Sequence, residues 1–313
     1  MKYAVEVAKC GSINKAAEIL LMNQPNLSRA IKELEASLGV EIFSRSAKGM
    51  VVTPEGETFL RYATSILKQV DEVEGLFKKS TTDKKKFSIS VPRSSYISDA
   101  FANFAQSVNK LSDAEIFYKE TNSRRTIKNV TENEFKLGIV RYAEHFDKFY
   151  KNLFEEKGLS YELITDFSYV LAMNKECPLV DKEIVTFSDL KNYIEIAHAD
   201  PFVPSLSMAA VKKEELSDDM RRRIFVYERA SQFELMARNT QTFMWVSPIP
   251  RTLLERYDLV QVKCAENTKV YKDVMVHRND YHLSELDNIF ITELCRSKRE
   301  IFRLARFYEQ VNF

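Results

Sequence analysis

Gln24, Asn26, Arg29 and Lys32 are the residues whose types and spacing most directly imply a chemistry. Gln and Asn can offer a donor and an acceptor to an adenine edge, Arg can do the same for guanine, and Lys pairs best with phosphate. At helical spacing they share an outward face with Pro25 and Ala36, and Ser28 lies nearer its flank. Leu27, Ile31, Leu34 and Leu38 form the opposite, apolar face. The outward face is polar and basic, with little bulk to obstruct a groove. A solvated face on an ordinary helical bundle has the same periodicity, so the surrounding elements must decide.

Ser12 stands before a short helix whose small apolar face is Ile13, Ala16, Ala17 and Leu20. Leu21-Met22-Asn23 is then a tight turn, Pro25 is tolerated in the first turn of the next helix, and Gly39 is its natural stop. Two short helices with the second exposing amides and cations describe a helix-turn-helix reader. Val40–Phe43 and Met50–Thr53 alternate as a pair of strands, predicting a wing whose turn carries Arg45 and Lys48 toward a sugar–phosphate backbone. Thr53-Pro54-Glu55-Gly56-Glu57 opens a long helix with a cap, an early proline and acids at its positive end. Along it Phe59, Ala63, Ile66, Val70, Val73 and Phe77 step by four and three, a heptad seam that predicts dimerisation through a partner helix.

The ordered run Gly11-Ser12, Ala16-Ala17, Asn23-Gln24-Pro25-Asn26-Leu27-Ser28-Arg29, Leu38-Gly39-Val40, Phe43-Ser44-Arg45 and Thr53-Pro54-Glu55-Gly56 resembles the LysR-type transcriptional regulators. Asn23 stands where serine or threonine is more usual, and the first helix is shortened ahead of Tyr3. The resemblance implies a multidomain α+β chain. A winged helix-turn-helix occupies 1–53, a linker and dimerisation helix 54–79, a hinge 80–86 and an effector-binding domain 87–313. It also implies that Gln24, Pro25, Asn26, Ser28, Arg29 and Lys32 form the DNA-reading helix. The expected partners are double-stranded DNA bearing an interrupted palindrome, a second copy of the chain (dimer, then tetramer), a small-molecule effector and RNA polymerase. Residues 1–86 hold 14 Lys+Arg against 11 Asp+Glu, so one copy should bind DNA only modestly and oligomerisation must multiply the affinity.

Beyond the polar hinge the sequence alternates strand and helix, the rhythm of a parallel α/β sheet. Ligands of such sheets settle beyond the carboxyl ends of the strands, which singles out Ser94, Ser95, Asn122, Ser123 and Arg141. By resemblance this half folds like a type 2 periplasmic binding protein, with two Rossmann-like subdomains and an effector in the cleft between them. The first subdomain is expected at 87–163 and 268–313 and the second at 164–267, with crossings near Leu163-Ile164 and Thr268–Val270. The far cleft wall is expected at His198, Asp200, Phe202, Thr242 and Phe243. Bulky Phe243, Met244 and Trp245 stand where the family carries glycines, and Lys136 where it carries an aspartate. Side-chain volume is therefore expected to fill part of the cleft, and a small carboxylate is not the assured effector, although Arg93, Arg141 and His198 still suit an anion.

Composition narrows the alternatives. The chain has 313 residues, 45% hydrophobic and 29% charged, with a formal charge of +1, which suits two or three folded units. Its seven glycines do not cluster as a nucleotide fold requires, and its four histidines show no zinc-site spacing. No cofactor, metal or catalytic set can be assembled, so an enzyme or solute-binding protein with an interaction module is the weaker reading. A redox sensor of the same shape would need paired cysteines, whereas Cys177 and Cys264 are distant in sequence. No apolar run suggests a membrane span, no signal peptide is visible, and a cytoplasmic protein is expected.

Overall fold

The computed structural model describes residues 1–46, 49–77, 84–202 and 220–311, without side chains at 45–46, 49, 68, 71–77 and 303–311. The chain divides into two units, Met1–Asp83 and Lys84–Phe313.

The first unit begins with α1 (Lys2–Cys10), α2 (Ile13–Ile19) and α3 (Gln24–Leu38). Ser12 and Asn23 take extended backbone conformations at the starts of α2 and α3, though neither side chain caps its helix. Leu21, in the turn between those helices, has φ +52° and is 94% exposed. Gly39 closes α3 with φ +71°. Ala4, Val7, Ala16, Ala17, Leu27, Ile31 and Ile42 form the core of this unit, with Leu20 and Leu34 packed partly against it. Leu38, expected on the buried face of α3, is instead 44% exposed at the helix end.

The wing strands are β1 (Phe43–Ser46) and β2 (Gly49–Val52), paired antiparallel from Phe43↔Val52 to Ser46↔Gly49. The first strand therefore starts at Phe43, not at Val40. The Glu35 carboxylate accepts the N–H groups of Ile42 (2.8 Å) and Phe43 (3.0 Å), so this stretch is tied to α3 before pairing begins. Next comes α4 (Pro54–Phe77). The Thr53 hydroxyl accepts from Gly56 N–H at 2.9 Å and donates to the Glu41 carbonyl at 2.6 Å, joining the helix start to the wing.

The second unit contains two five-stranded sheets. The first holds β3 (Lys85–Val91), β4 (Ala114–Glu120), β5 (Leu137–Ala143), β6 (Leu159–Ser168) and β12 (Val270–Arg278), in the order β4-β3-β5-β12-β6. The second holds β7 (Val170–Asn174), β8 (Ile194–His198), β9 (Arg223–Val226), β10 (Thr242–Val246) and β11 (Leu259–Val262), in the order β11-β7-β10-β8-β9. Helices α5 (Ser95–Val108), α6 (Ser123–Thr131) and α7 (Asp147–Glu156) accompany the first sheet, with α8 (Phe187–Leu190), α9 (Arg229–Arg238) and α10 (Arg251–Arg256) around the second. The last helix, α11 (Glu285–Val311), returns to bury Leu286, Phe290 and Leu294 with Phe87 and Phe104.

The strand–helix rhythm beyond the hinge gives parallel pairing, β3 with β4 and with β5, while antiparallel β12 makes the first sheet mixed and antiparallel β7 the second. Two expectations are corrected here. The first crossing lies at Tyr169, not at Leu163-Ile164, since β6 stays paired with β12 through Ser168↔Val270. Lys85 and Lys86 belong to β3, not to the hinge, whose residues 80–83 fall outside the described residues.

Candidate nucleic-acid interface and ligand cleft

The amphipathic pattern of α3 sends Leu27 (0% exposed) and Ile31 (3%) into the core. Gln24, Pro25, Asn26, Arg29 and Lys32 are consequently exposed, and Ser28 is half-buried at the flank. Gln24, Pro25, Ser28, Arg29, Lys32, Glu33 and Ala36 line one shallow concavity along this helix. Asn26 lies beside that concavity instead of in it. Glu33 places an acid among the cations, so the face is selective in charge, not uniformly basic. Arg45 lies in the first wing strand, and Lys48 falls outside the described residues.

The heptad seam divides into two parts. Ala63 is buried within the unit (1% exposed), and Phe59 packs against its core. The apolar surface of Ala63 is therefore covered within the unit, and that of Phe59 is covered in part. Ile66 and Val70 are 42% and 46% exposed, while Val73 and Phe77 are placed only as backbone on the same helix.

In the second unit the carboxyl ends of β3, β4 and β5 face the chain leaving β8 and β10, as the strand-end argument requires. A cleft of about 160 Å³ lies there, lined by Asn122, Ser123, Arg141, His198 and Phe202 of the expected residues. Four others are elsewhere. Thr242 is fully buried and donates to the Asn239 carbonyl at 2.7 Å, and Phe243 is a core residue of the second sheet. Trp245 packs with that same core, so the expected filling of the cleft by this segment does not occur. Ser95 faces a separate groove of about 720 Å³, bordered by Asp99, Glu120 and Arg229. Ser94 is buried behind the cleft, where its hydroxyl meets the Ser247 hydroxyl and Arg141 Nη2, both at 3.0 Å.

Much of the cleft's electrostatics rests on residues that local periodicity does not reveal. Asp273, wholly buried on β12, accepts Arg141 Nε at 2.7 Å and Nη2 at 2.6 Å, together with the Tyr96 hydroxyl at 2.6 Å. Burial opposes the Arg141 charge, but the Asp273 carboxylate outweighs it, and the guanidinium pKa rises above its ordinary value. Burial, and then the neighbouring Asp273 charge, push the Tyr96 phenol well up. The guanidinium also lies 4.7 Å from the centre of the Phe167 ring, a cation–π contact. Tyr169 and Tyr271, whose rings are 4.3 Å apart, extend this aromatic wall. Burial, reinforced by Arg93, depresses the His198 pKa to about 4, so its ring is neutral near pH 7.

Links between the subdomains cluster at these strand ends. Arg93 meets Asp200 at 2.8 Å, and Asn122 Nδ2 donates to the Asp200 carbonyl at 3.1 Å. On the far side Arg229 meets Glu120 at 2.8 Å. Ser123 donates to the Arg141 carbonyl, and Asn122 Oδ1 caps α6 by accepting Arg125 N–H. Cys177 and Cys264 both belong to one buried apolar cluster of the second sheet. Burial pushes both thiols up, away from the reactive thiolate form. Among the described residues no group of three or more His, Cys, Asp or Glu converges as a metal site, and no helix is long and apolar enough to cross a membrane.

Comparison with known proteins agrees with this architecture. Residues 1–57 match the model of bacterial regulatory helix-turn-helix proteins of the lysR family. The uncharacterized HTH-type transcriptional regulator YcgK of Bacillus subtilis is 40% identical over 93 residues, 29% of this chain and 29% of that protein. AlsR of the same organism, an HTH-type transcriptional regulator, is 21% identical over 96% of both chains. Full-length CbnR complexed with its target DNA has a TM-score of 0.57 at 16% identity, covering 95% of this chain and 98% of that one. Similarity to YcgK spans under a third of its length, and the CbnR likeness establishes the fold. The first unit thus carries, over residues 1–57, a helix-turn-helix domain of the lysR type.

Proposed function

We propose that this chain is a sequence-specific, ligand-modulated DNA-binding transcriptional regulator that acts in the cytoplasm as a dimer or a dimer of dimers. The observation that carries the reading is the division of α3. Leu27 and Ile31 are buried while Gln24, Pro25, Arg29 and Lys32 share an exposed face beside a wing. Such a helix fits the major groove, with amide and guanidinium groups at base edges and Lys32 at phosphate. Ile66 and Val70 supply unsatisfied apolar surface for a partner helix. In the second unit, a small molecule seated between subdomains would shift the population of their arrangements by as much as it prefers one over another.

The test is selection of bound fragments from random DNA by the purified protein at stated salt, repeated with Arg29→Ala and Val70→Asp. The wild type should recover an interrupted palindrome. Arg29→Ala should lose it while keeping its mass and helicity, and Val70→Asp should scatter light as a monomer. Unaltered sequence-specific binding by Arg29→Ala would remove α3 as the reading helix.

A further inference from the structure

Asp200 crosses from the second subdomain and inserts its carboxylate among donors supplied by the first. Oδ1 lies 2.8 Å from Arg93 Nη1, and Oδ2 lies 3.5 Å from Asn122 Nδ2 and 3.6 Å from Arg125 Nη1. Asn122 and Arg125 stand at the start of α6, where the helix end itself favours negative charge. Guanidinium, amide and helix end together form the arrangement that would grip a ligand carboxylate. Here the chain's own aspartate, only 17% exposed, fills it. The other cation of the cleft is also matched internally, because Asp273 holds Arg141 along one edge of its guanidinium, through Nε and Nη2. His198 adds no positive charge, being neutral above about pH 4 through burial and the nearby Arg93. Much of the remaining wall is aromatic, including Tyr142, Phe146, Tyr169, Phe202 and Tyr271.

We propose that Asp200 is a specificity-determining residue of this cleft: it occupies the anion position in cis, so the cleft takes a ring-bearing small molecule that is uncharged or cationic and rejects carboxylates. The inference rests on reading the cleft as a ligand site. A ligand carboxylate entering it meets Asp200 and two cations already paired, and it must displace the aspartate from Arg93 to gain a partner. A neutral amide or an amidinium faces no such competition. Arg125 is 64% exposed, and water screens its pull on an incoming anion.

Benzamide, benzamidinium and benzoate present one ring with three charges, and titration calorimetry on the full-length protein separates them. Wild type should bind benzamide and benzamidinium at least about tenfold more tightly than benzoate. Asp200→Asn should raise benzoate affinity by about tenfold, lower that of benzamidinium, and leave benzamide nearly unchanged. Tighter binding of benzoate than benzamide by the wild type overturns the proposal without reference to any variant. A benzoate-to-benzamide ratio unchanged in Asp200→Asn removes the role of Asp200 and leaves the cleft standing. Failure of all three probes with both proteins, while DNA binding is intact, removes the ring-binding cleft and this inference with it.

Discussion

Arg141 and Asp273 face each other across neighbouring antiparallel strands as direct register partners, and their side chains close a two-point ion pair of 2.7 and 2.6 Å. Arg141 is 8% exposed and Asp273 not at all, so neither charge has water to fall back on. Removing one partner should cost far more than the pair contributes net, because the survivor is left buried and uncompensated. Asp273→Ala should lower the stability of the second unit by about 3–5 kcal/mol. Replacing both residues by apolar ones of similar volume should cost less than that single change. Urea unfolding followed by circular dichroism measures both, and equal losses would show that the ion pair is not what makes Asp273 indispensable.

Gly56 and Gly39 both sit at helix ends in the first unit, for different reasons. A Cβ on Gly56 would lie 2.1 Å from the Ile42 carbonyl oxygen, so the first turn of α4 can approach the wing only without a side chain. At Gly39 there is open space, but φ is +71°, and an added Cβ is strained by the backbone alone. Gly39→Ala should therefore cost ~1 kcal/mol. Gly56→Ala should cost about 1–3 kcal/mol through displaced backbone, and should weaken DNA binding as the wing shifts. Differential scanning calorimetry should register both losses in the first unit, with the transition of the second unmoved. A Gly56→Ala protein melting like wild type would mean that the helix start yields freely.

Local patterns in this sequence reach as far as local forces do. The faces of α3 are legible because Leu27 and Ile31 repeat at helical spacing, and its end is legible because only Gly39 suits the left-handed turn. The wing start was displaced from Val40 to Phe43 by a distant carboxylate, Glu35, which occupies the N–H groups of Ile42 and Phe43. The subdomain crossing was misplaced for a related reason. Alternation in Leu163–Ser168 does not announce a boundary, and it is pairing with β12 that extends the strand. Asn122, Ser123 and Arg141 line the cleft at positions that strand ends make readable from sequence. Asp273 was not, since a single acid in Val270–Val276 looks like an outward position until the register sets it opposite Arg141. Thr242 and Phe243 failed as cleft residues because sheet order, which local sequence does not encode, puts β10 in the middle of its sheet.

His198 makes acid sensitivity a property of the cleft. Its pKa is lowered from 6.5 to about 4, first by burial and then by the Arg93 charge. Between those two values the native chain binds fewer protons at this ring than the unfolded chain does, so unfolding takes up a proton and acid favours it. The contribution is complete above pH 6.5 and is lost as pH falls toward 4, reaching at most about 3 kcal/mol. Glu195 acts in the opposite sense, because burial raises its pKa even against the pull of Arg223, so its contribution is lost as pH rises above the ordinary carboxylate value. Asp189, depressed to about 2 chiefly by its hydrogen bond from Lys182, titrates below the window. Comparing wild type with His198→Gln therefore isolates the histidine. Urea midpoints should converge with those of the variant as pH drops from 6.5 to 4, the wild type losing the greater stability. Parallel curves across that interval would show that the ring is hydrated enough to protonate normally in the folded cleft.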